Sequence, residues 1–179
     1  MATIENVDPN DSIGYWLFYT QRCVSYAFAE TMRKHCMEQG KPYVITPPQW
    51  GALSQLYKHD GLTIGTLGQK RGVDAPTATG IIKRLEQAGL VERRHDREDR
   101  RVVKVYLTDE GRDIMQSLFP AIQSFNDEML GDFSTGEQKM LLSMLQRLIV
   151  HISDEALGTG DRFKLLPERI VREEYMYED

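Results

Sequence analysis

Apolar residues recur at helical spacing through most of the chain, and glycine, proline and capping residues cut the recurrence into discrete segments. Across 12–39, Leu17, Val24, Ala27, Phe28 and Met32 keep that spacing, with no glycine or proline after Gly14 until Gly40-Lys41-Pro42 ends the run. Tyr15, Trp16, Phe18, Tyr19, Tyr26 and Phe28 make this helix apolar on more than one face, so it packs on its own domain and on something else. Thr46-Pro47-Pro48-Gln49 has the make-up of a capping box with proline at the first helical position, and Ile45 and Trp50 stand where a hydrophobic staple would form. The helix it opens runs to about Lys58, and Asp60-Gly61 makes a turn.

Thr63 caps a short helix over 64–71 that Gly72 closes. Asp74 caps a third helix over 74–88, with Pro76 tolerated in its first turn and Gly89 as a left-handed terminator. Residues 90–93 and 102–107 then read as two short strands, in which Val103, Val105 and Leu107 share one face and Val102, Lys104 and Tyr106 the other. A charged hairpin, 95–101, joins them. Thr108 caps a helix reaching about Leu130, and Ser134-Thr135-Gly136-Glu137 is a second capping box. The helix after it carries Met140, Leu141, Met144, Leu145, Leu148 and Ile152 on one stripe. Residues 1–11 read as a flexible arm and 158–179 as an extension with a short helix around 167–175.

The elements predict a mostly α chain: a winged helix-turn-helix with a two-stranded β wing, carried by long flanking helices. No stretch approaches the ~18 unbroken apolar residues of a membrane span. An acidic, polar beginning is unlike a secretory leader, and two cysteines make no disulfide framework, so a reducing cytoplasm is the expected compartment. The net charge of −5 hides its distribution. Between Leu62 and Leu107 stand ten Lys or Arg against six Asp or Glu, a surplus of four, which leaves −9 for the remainder. A charge run alone is more often a solvated face. A basic centre in an acidic chain nevertheless fits a protein that meets a polyanion with one surface.

The order of helices and hairpin assigns tasks. Helix 64–71 would cross a DNA backbone while helix 74–88 lies in the major groove. With Ile64, Leu67, Val73, Ala78, Ile82 and Leu85 turned inward, Ala75, Pro76, Thr77, Thr79, Gly80, Lys83 and Arg84 face the groove. The small residues let the helix approach base edges, and Lys83 and Arg84 suit phosphates or a guanine. At the hairpin tip Arg97, Arg100 and Arg101 suit a narrow minor groove, and Asp99 is placed to orient the Arg101 guanidinium across the turn.

The run from Asp96-Arg97-Glu98-Asp99-Arg100-Arg101 through Leu107-Thr108-Asp109-Glu110-Gly111, with Lys83-Arg84-Leu85-Glu86-Gln87-Ala88-Gly89-Leu90-Val91, resembles the MarR (multiple antibiotic resistance regulator) family signature, over roughly 12–153. The resemblance implies a homodimeric DNA-binding transcription regulator, a repressor rather than an enzyme, reading a pseudo-palindromic operator with two recognition helices about one DNA turn apart. It divides the chain into a dimerisation helix (12–45), a DNA-binding lobe (46–111) and dimerisation helices (112–157). It also implies a pocket between lobe and dimerisation helices for a small aromatic or phenolic effector, for which Tyr15, Trp16, Tyr19, Arg22, Tyr26 and Trp50 are the candidates. No cofactor is implied.

Other chemistry is thinner. Some relatives sense peroxide through a first-helix cysteine, but one nearer position 15 than Cys23, whose neighbours Val24, Tyr26 and Phe28 predict a buried, inert thiol. A thiol-sensing regulator and a winged-helix protein-interaction module without DNA binding are the alternatives. Cys23 and Cys36 lie ~20 Å apart along one helix and do not bridge. His35, Cys36 and Glu38 point in different directions, and His59, His95 and His151 are scattered, so these read as surface histidines and no metal site is expected. Arg22, a cation amid apolar helix, reads as snorkelling to solvent or meeting a carboxylate. Gly65 and Gly68 predict a loose helix at 64–71.

Overall fold

A computed structural model describes residues 12–155; the predicted arm at 1–11 and the extension at 158–179, with its short helix, lie outside the described residues. The elements are α1 (Ile13–Glu38), α2 (Pro47–Lys58), β1 (Leu62–Thr63), α3 (Ile64–Arg71), α4 (Ala75–Gln87), β2 (Val91–His95), β3 (Val103–Leu107), α5 (Asp109–Met129) and α6 (Thr135–Glu155). The fold is mostly helical with one small antiparallel sheet, and no described helix is long and apolar enough to cross a membrane.

Caps set the boundaries. The side chains of Ser12, Thr63, Asp74 and Thr108 accept the backbone N–H groups of Tyr15, Thr66, Thr77 and Gly111. Ser134 and Glu137 form a reciprocal box: the Ser134 N–H donates to Glu137 Oε2 (2.8 Å) and the Glu137 N–H to Ser134 Oγ (3.3 Å). At α2, the Thr46 N–H and hydroxyl both donate to Gln49 Oε1. Gly72 and Gly89 adopt left-handed φ of 61° and 72° and close α3 and α4, and the next N–H reaches back to Gly68 O and Leu85 O.

The sheet has three strands, in the order β1-β3-β2, where the sequence predicts two. Leu62 and Thr63 pair with Val105 and Lys104, and a two-residue strand is too short to leave an alternating pattern. Asp60 secures this corner by accepting the Leu107 N–H (3.0 Å) and the Arg112 guanidinium. Strand β2 runs to His95, two residues further than predicted, in register Val91↔Leu107 through His95↔Val103.

One core joins α1, α2, the helix-turn-helix, the sheet and α5. Met32 and Cys36 bring α1 into it; Leu53, Leu56, Leu67, Ile82, Leu85, Leu90, Val105, Ile114, Met115 and Leu118 complete it. Ile81, absent from the predicted inward set, is buried as well. Gly68 is buried where α3 and α4 cross: a Cβ there would lie 3.2 Å from Val73 O and 3.4 Å from Ala78 Cβ. His35 is half-buried rather than on the surface, with its Nε2 3.0 Å from the Ser117 hydroxyl.

Gly111 is the tightest packing point between the wing and α5. A Cβ there would stand 2.1 Å from Leu90 O, and a backbone carbonyl fixed in the sheet-to-helix junction cannot withdraw. Gly111→Ala is expected to destabilise the fold by about 1–3 kcal/mol or more, measured by urea unfolding at fixed protein concentration; an unchanged midpoint would show that the junction yields.

Candidate nucleic-acid interface

Rotation of α4 is fixed by its buried residues Ala78, Ile81, Ile82 and Leu85, spaced three or four apart on one face. Ala75, Pro76, Thr77, Thr79, Lys83 and Arg84 are consequently exposed, with Gly80 at the margin. The Thr79 hydroxyl donates to Ala75 O (2.8 Å). The N-terminal half of this face carries no long side chain, and Lys83 and Arg84 stand one turn further on.

The wing's basic residues divide into two groups. Arg93 contacts Glu86 of α4 (Nε to Oε2, 3.3 Å) at an angle too poor for a hydrogen bond, and Arg94 lies over the Tyr106 ring (5.1 Å) and pairs with Glu92. These charges stay within the lobe and tie β2 to α4 and β3. Arg97, Arg100 and Arg101 are exposed at the tip, and among the described residues no hydrogen bond or ion pair occupies their guanidinium groups.

Asp99 does not orient the Arg101 guanidinium. Its Oδ1 accepts the Arg101 backbone N–H (2.9 Å) and its carbonyl accepts the Val102 N–H, so it shapes the chain and leaves the cation free. The organiser of the hairpin is Asp96, which sequence reasoning missed. Its Oδ1 accepts the N–H groups of Glu98 (2.9 Å) and Asp99 (3.1 Å), and its Oδ2 pairs with Lys104 Nζ (2.5 Å). The bond from Lys104, then the two backbone N–H groups, hold its carboxyl down at about 2. A carboxylate two and three residues before a chain reversal is the signal that identifies it. His95 Nδ1, 2.8 Å from Arg100 O, closes the other side.

The six effector candidates do not all converge, although Tyr19, Arg22 and Tyr26 line one open hollow along α1. Tyr15, Trp16 and Tyr19 form a ring cluster near the start of α1, and Tyr26 is exposed further along it. Arg22 is exposed and lies over the Phe18 ring (5.6 Å), one turn earlier; among the described residues it meets no carboxylate. Trp50 belongs elsewhere, packed edge-on against Phe28 (6.3 Å) and Phe119 (5.9 Å), with Tyr57 and Phe125 completing an aromatic group between α1, α2 and α5. Cys23 is exposed, not buried: of its apolar neighbours Phe28 turns to Trp50 and Phe125 while Tyr26 faces outward; Cys36 is the buried thiol.

Since the Asp96 pKa is lowered on folding, its contribution is present above the unfolded value of 3.8 and lost as pH falls towards about 2. Asp96→Ala is expected to speed hydrogen exchange at the Glu98 and Asp99 amides at neutral pH with little change in melting temperature. In the parent the same loosening should appear only below about pH 4. Equal exchange in variant and parent at neutral pH would remove Asp96 from this role.

Comparison with known proteins agrees with this geometry. The MarR family model matches residues 45–103, spanning α2 through the first residue of β3. The HTH-type transcriptional regulator YsmB of Bacillus subtilis is 37% identical over 106 residues, covering 59% of this chain and 73% of the relative. The crystal structure of a probable transcriptional regulator from Pseudomonas aeruginosa, 29% identical, superposes with a TM-score of 0.69 over 79% of this chain and 99% of that one. The PcaV transcriptional regulator of Streptomyces coelicolor, in complex with its natural ligand, is 25% identical with a TM-score of 0.68, over 87% and 99% of the two chains. The family match and the similarity to these regulators make the chain, with its three-strand winged helix and cationic hairpin tip, a DNA-binding transcriptional regulator of the MarR family.

Proposed function

We propose that the chain is a homodimeric, ligand-responsive repressor that reads a pseudo-palindromic operator through helix 74–88 and wing 95–101. The observation that carries the DNA contact is the set of unengaged guanidinium groups, Arg97, Arg100 and Arg101, at the tip of a hairpin held rigid by Asp96. In this reading Ala75, Pro76, Thr77, Thr79 and Gly80 approach base edges, Lys83 and Arg84 hold phosphates, and the wing arginines enter the flanking minor groove. Asp99 keeps a wing-stabilising part through the backbone of Arg101.

Two apolar faces left open support the dimer. On α1, Ile13, Trp16, Phe18 and Tyr26 are exposed, the last at 75%. On α6, Met140, Leu141, Met144, Leu145 and Ile152 are all exposed along one stripe. Patches of this kind on two helices outside the lobe are what an obligate partner covers. The division into a dimerisation helix (12–45), a DNA-binding lobe (46–111) and dimerisation helices (112–157) is part of the same proposal, with Met32, Cys36, Ile114 and Leu118 packing the flanking helices onto the lobe. The aromatic group around Trp50 and Phe28, at the junction of α1, α2 and α5, is the best placed for a small aromatic or phenolic effector; that PcaV was solved with a natural ligand favours an effector of some kind.

A duplex carrying an inverted repeat from the upstream region of the gene is expected to bind with Kd ~10⁻⁸–10⁻¹¹ M, and Arg101→Ala to weaken it by ~1–3 kcal/mol at matched salt. An Ala variant as tight as the parent would overturn the wing's part. Sedimentation should return twice the chain mass; a monomer at micromolar concentration would refute the dimer. Among aromatic and phenolic acids screened by thermal shift, an effector present at 100 times its Kd should add about 2.7 kcal/mol.

A further inference from the structure

Arg71, the last residue of α3, runs through the helix-turn-helix rather than away from it. Its side chain lines a small apolar void with Ala52, Leu67, Val73, Ala78 and Ile82. Its guanidinium lies across Gly51 of α2, where an added Cβ would fall 1.5 Å from Nη1 and 1.9 Å from Cζ. Nε is buried without a hydrogen-bond partner, whereas neither terminal nitrogen is sealed from solvent. No carboxylate completes the guanidinium among the described residues. Those of the surrounding elements are engaged elsewhere: Asp60 with Arg112 and the Leu107 N–H, Asp74 with the Thr77 N–H, Glu86 with Arg93. Burial pulls the Arg71 pKa below the ordinary arginine value.

A guanidinium drawn out of water without an anion lowers stability, and an unbranched apolar side chain of the same reach fills such a site at less cost. The cation also sits immediately before the Gly72-Val73 turn that feeds α4, on the helix that crosses the sugar-phosphate backbone in helix-turn-helix docking. We propose that Arg71 is a phosphate-contact residue, its terminal nitrogens completed by a backbone phosphate of the bound duplex and its path across α2 opened by the missing side chain at Gly51. The planar fork of arginine matches two phosphate oxygens. A phosphate contact carries no base information, so Arg71 adds affinity for any duplex and positions the recognition helix without choosing sequence. This inference rests on the DNA-binding reading above.

The test measures Kd by fluorescence anisotropy for an operator duplex and a scrambled duplex across roughly 50–200 mM salt, with the full chain and four variants. Arg71→Met is expected to weaken both duplexes about three- to tenfold and to lower the slope of log K against log salt by about one, with an unfolding midpoint at or above the parent's. Arg71→Lys should keep the slope. Gly51→Ala, which retains the cation and occupies its place, should reproduce the loss and stands in if Arg71→Met does not fold. An unchanged salt slope in Arg71→Met and Gly51→Ala, whether or not affinity falls, overturns the proposal and leaves Arg71 a packing residue. Arg101→Ala separates the two levels: an Arg101-sensitive parent with an Arg71-insensitive slope sinks this inference alone, and a parent that binds neither duplex sinks the DNA-binding reading with it.

Discussion

The buried face of α4 is the constraint on which the rest turns. Ala78, Ile81, Ile82 and Leu85 are each removed from water against α2, α3 and the sheet, and burying an Ile or Leu side chain contributes roughly 1.5–3 kcal/mol. Rotating the helix by one residue would expose that surface, so its orientation is settled by packing before any nucleic acid is present. The exposed face inherits what remains: two threonines, an alanine, a proline and two cations. On the proposed reading, recognition is therefore a by-product of core formation, and the interface is preorganised because the core is.

The hairpin obeys a different rule. Its tip has no core, and its shape comes from carboxylates that accept backbone N–H groups: Asp96 from Glu98 and Asp99, Asp99 from Arg101. Acidic residues in a cationic wing thus have a structural part. They fold the loop while Lys104 neutralises Asp96 from the strand, so the tip arginines are left to project. The net surplus of positive charge in 62–107 understates this separation, since Arg93 and Arg94 are taken up internally and the outward cations stand apart from them.

Much of the architecture was legible in the chain because caps and terminators are local chemistry: Thr63, Asp74, Thr108, Ser134, Gly72 and Gly89 each act within four residues. What escaped depends on partners distant in sequence. Strand β1 exists only because Val105 lies beside Leu62. Gly68 packs closely on Val73 and Ala78, beyond its own helix, and His35 is half-buried where Ser117 of α5 meets it. Trp50 stands apart from Tyr15, Trp16, Tyr19 and Tyr26 because Phe28 of α1 and Phe119 of α5 hold it. Apolar neighbours do not bury Cys23, because the face of α1 that carries Tyr19 and Tyr26 is exposed.

The central claim is that one surface, made of the outward face of α4 and the tip between β2 and β3, meets the double helix. Backbone amide shift mapping on the labelled protein, titrated with an operator duplex, tests it most directly. Perturbations should concentrate at 75–84 and 96–101, with smaller ones at the end of α3. Large shifts confined to α1 and α6, with 75–84 and 96–101 unmoved at saturation, would contradict it.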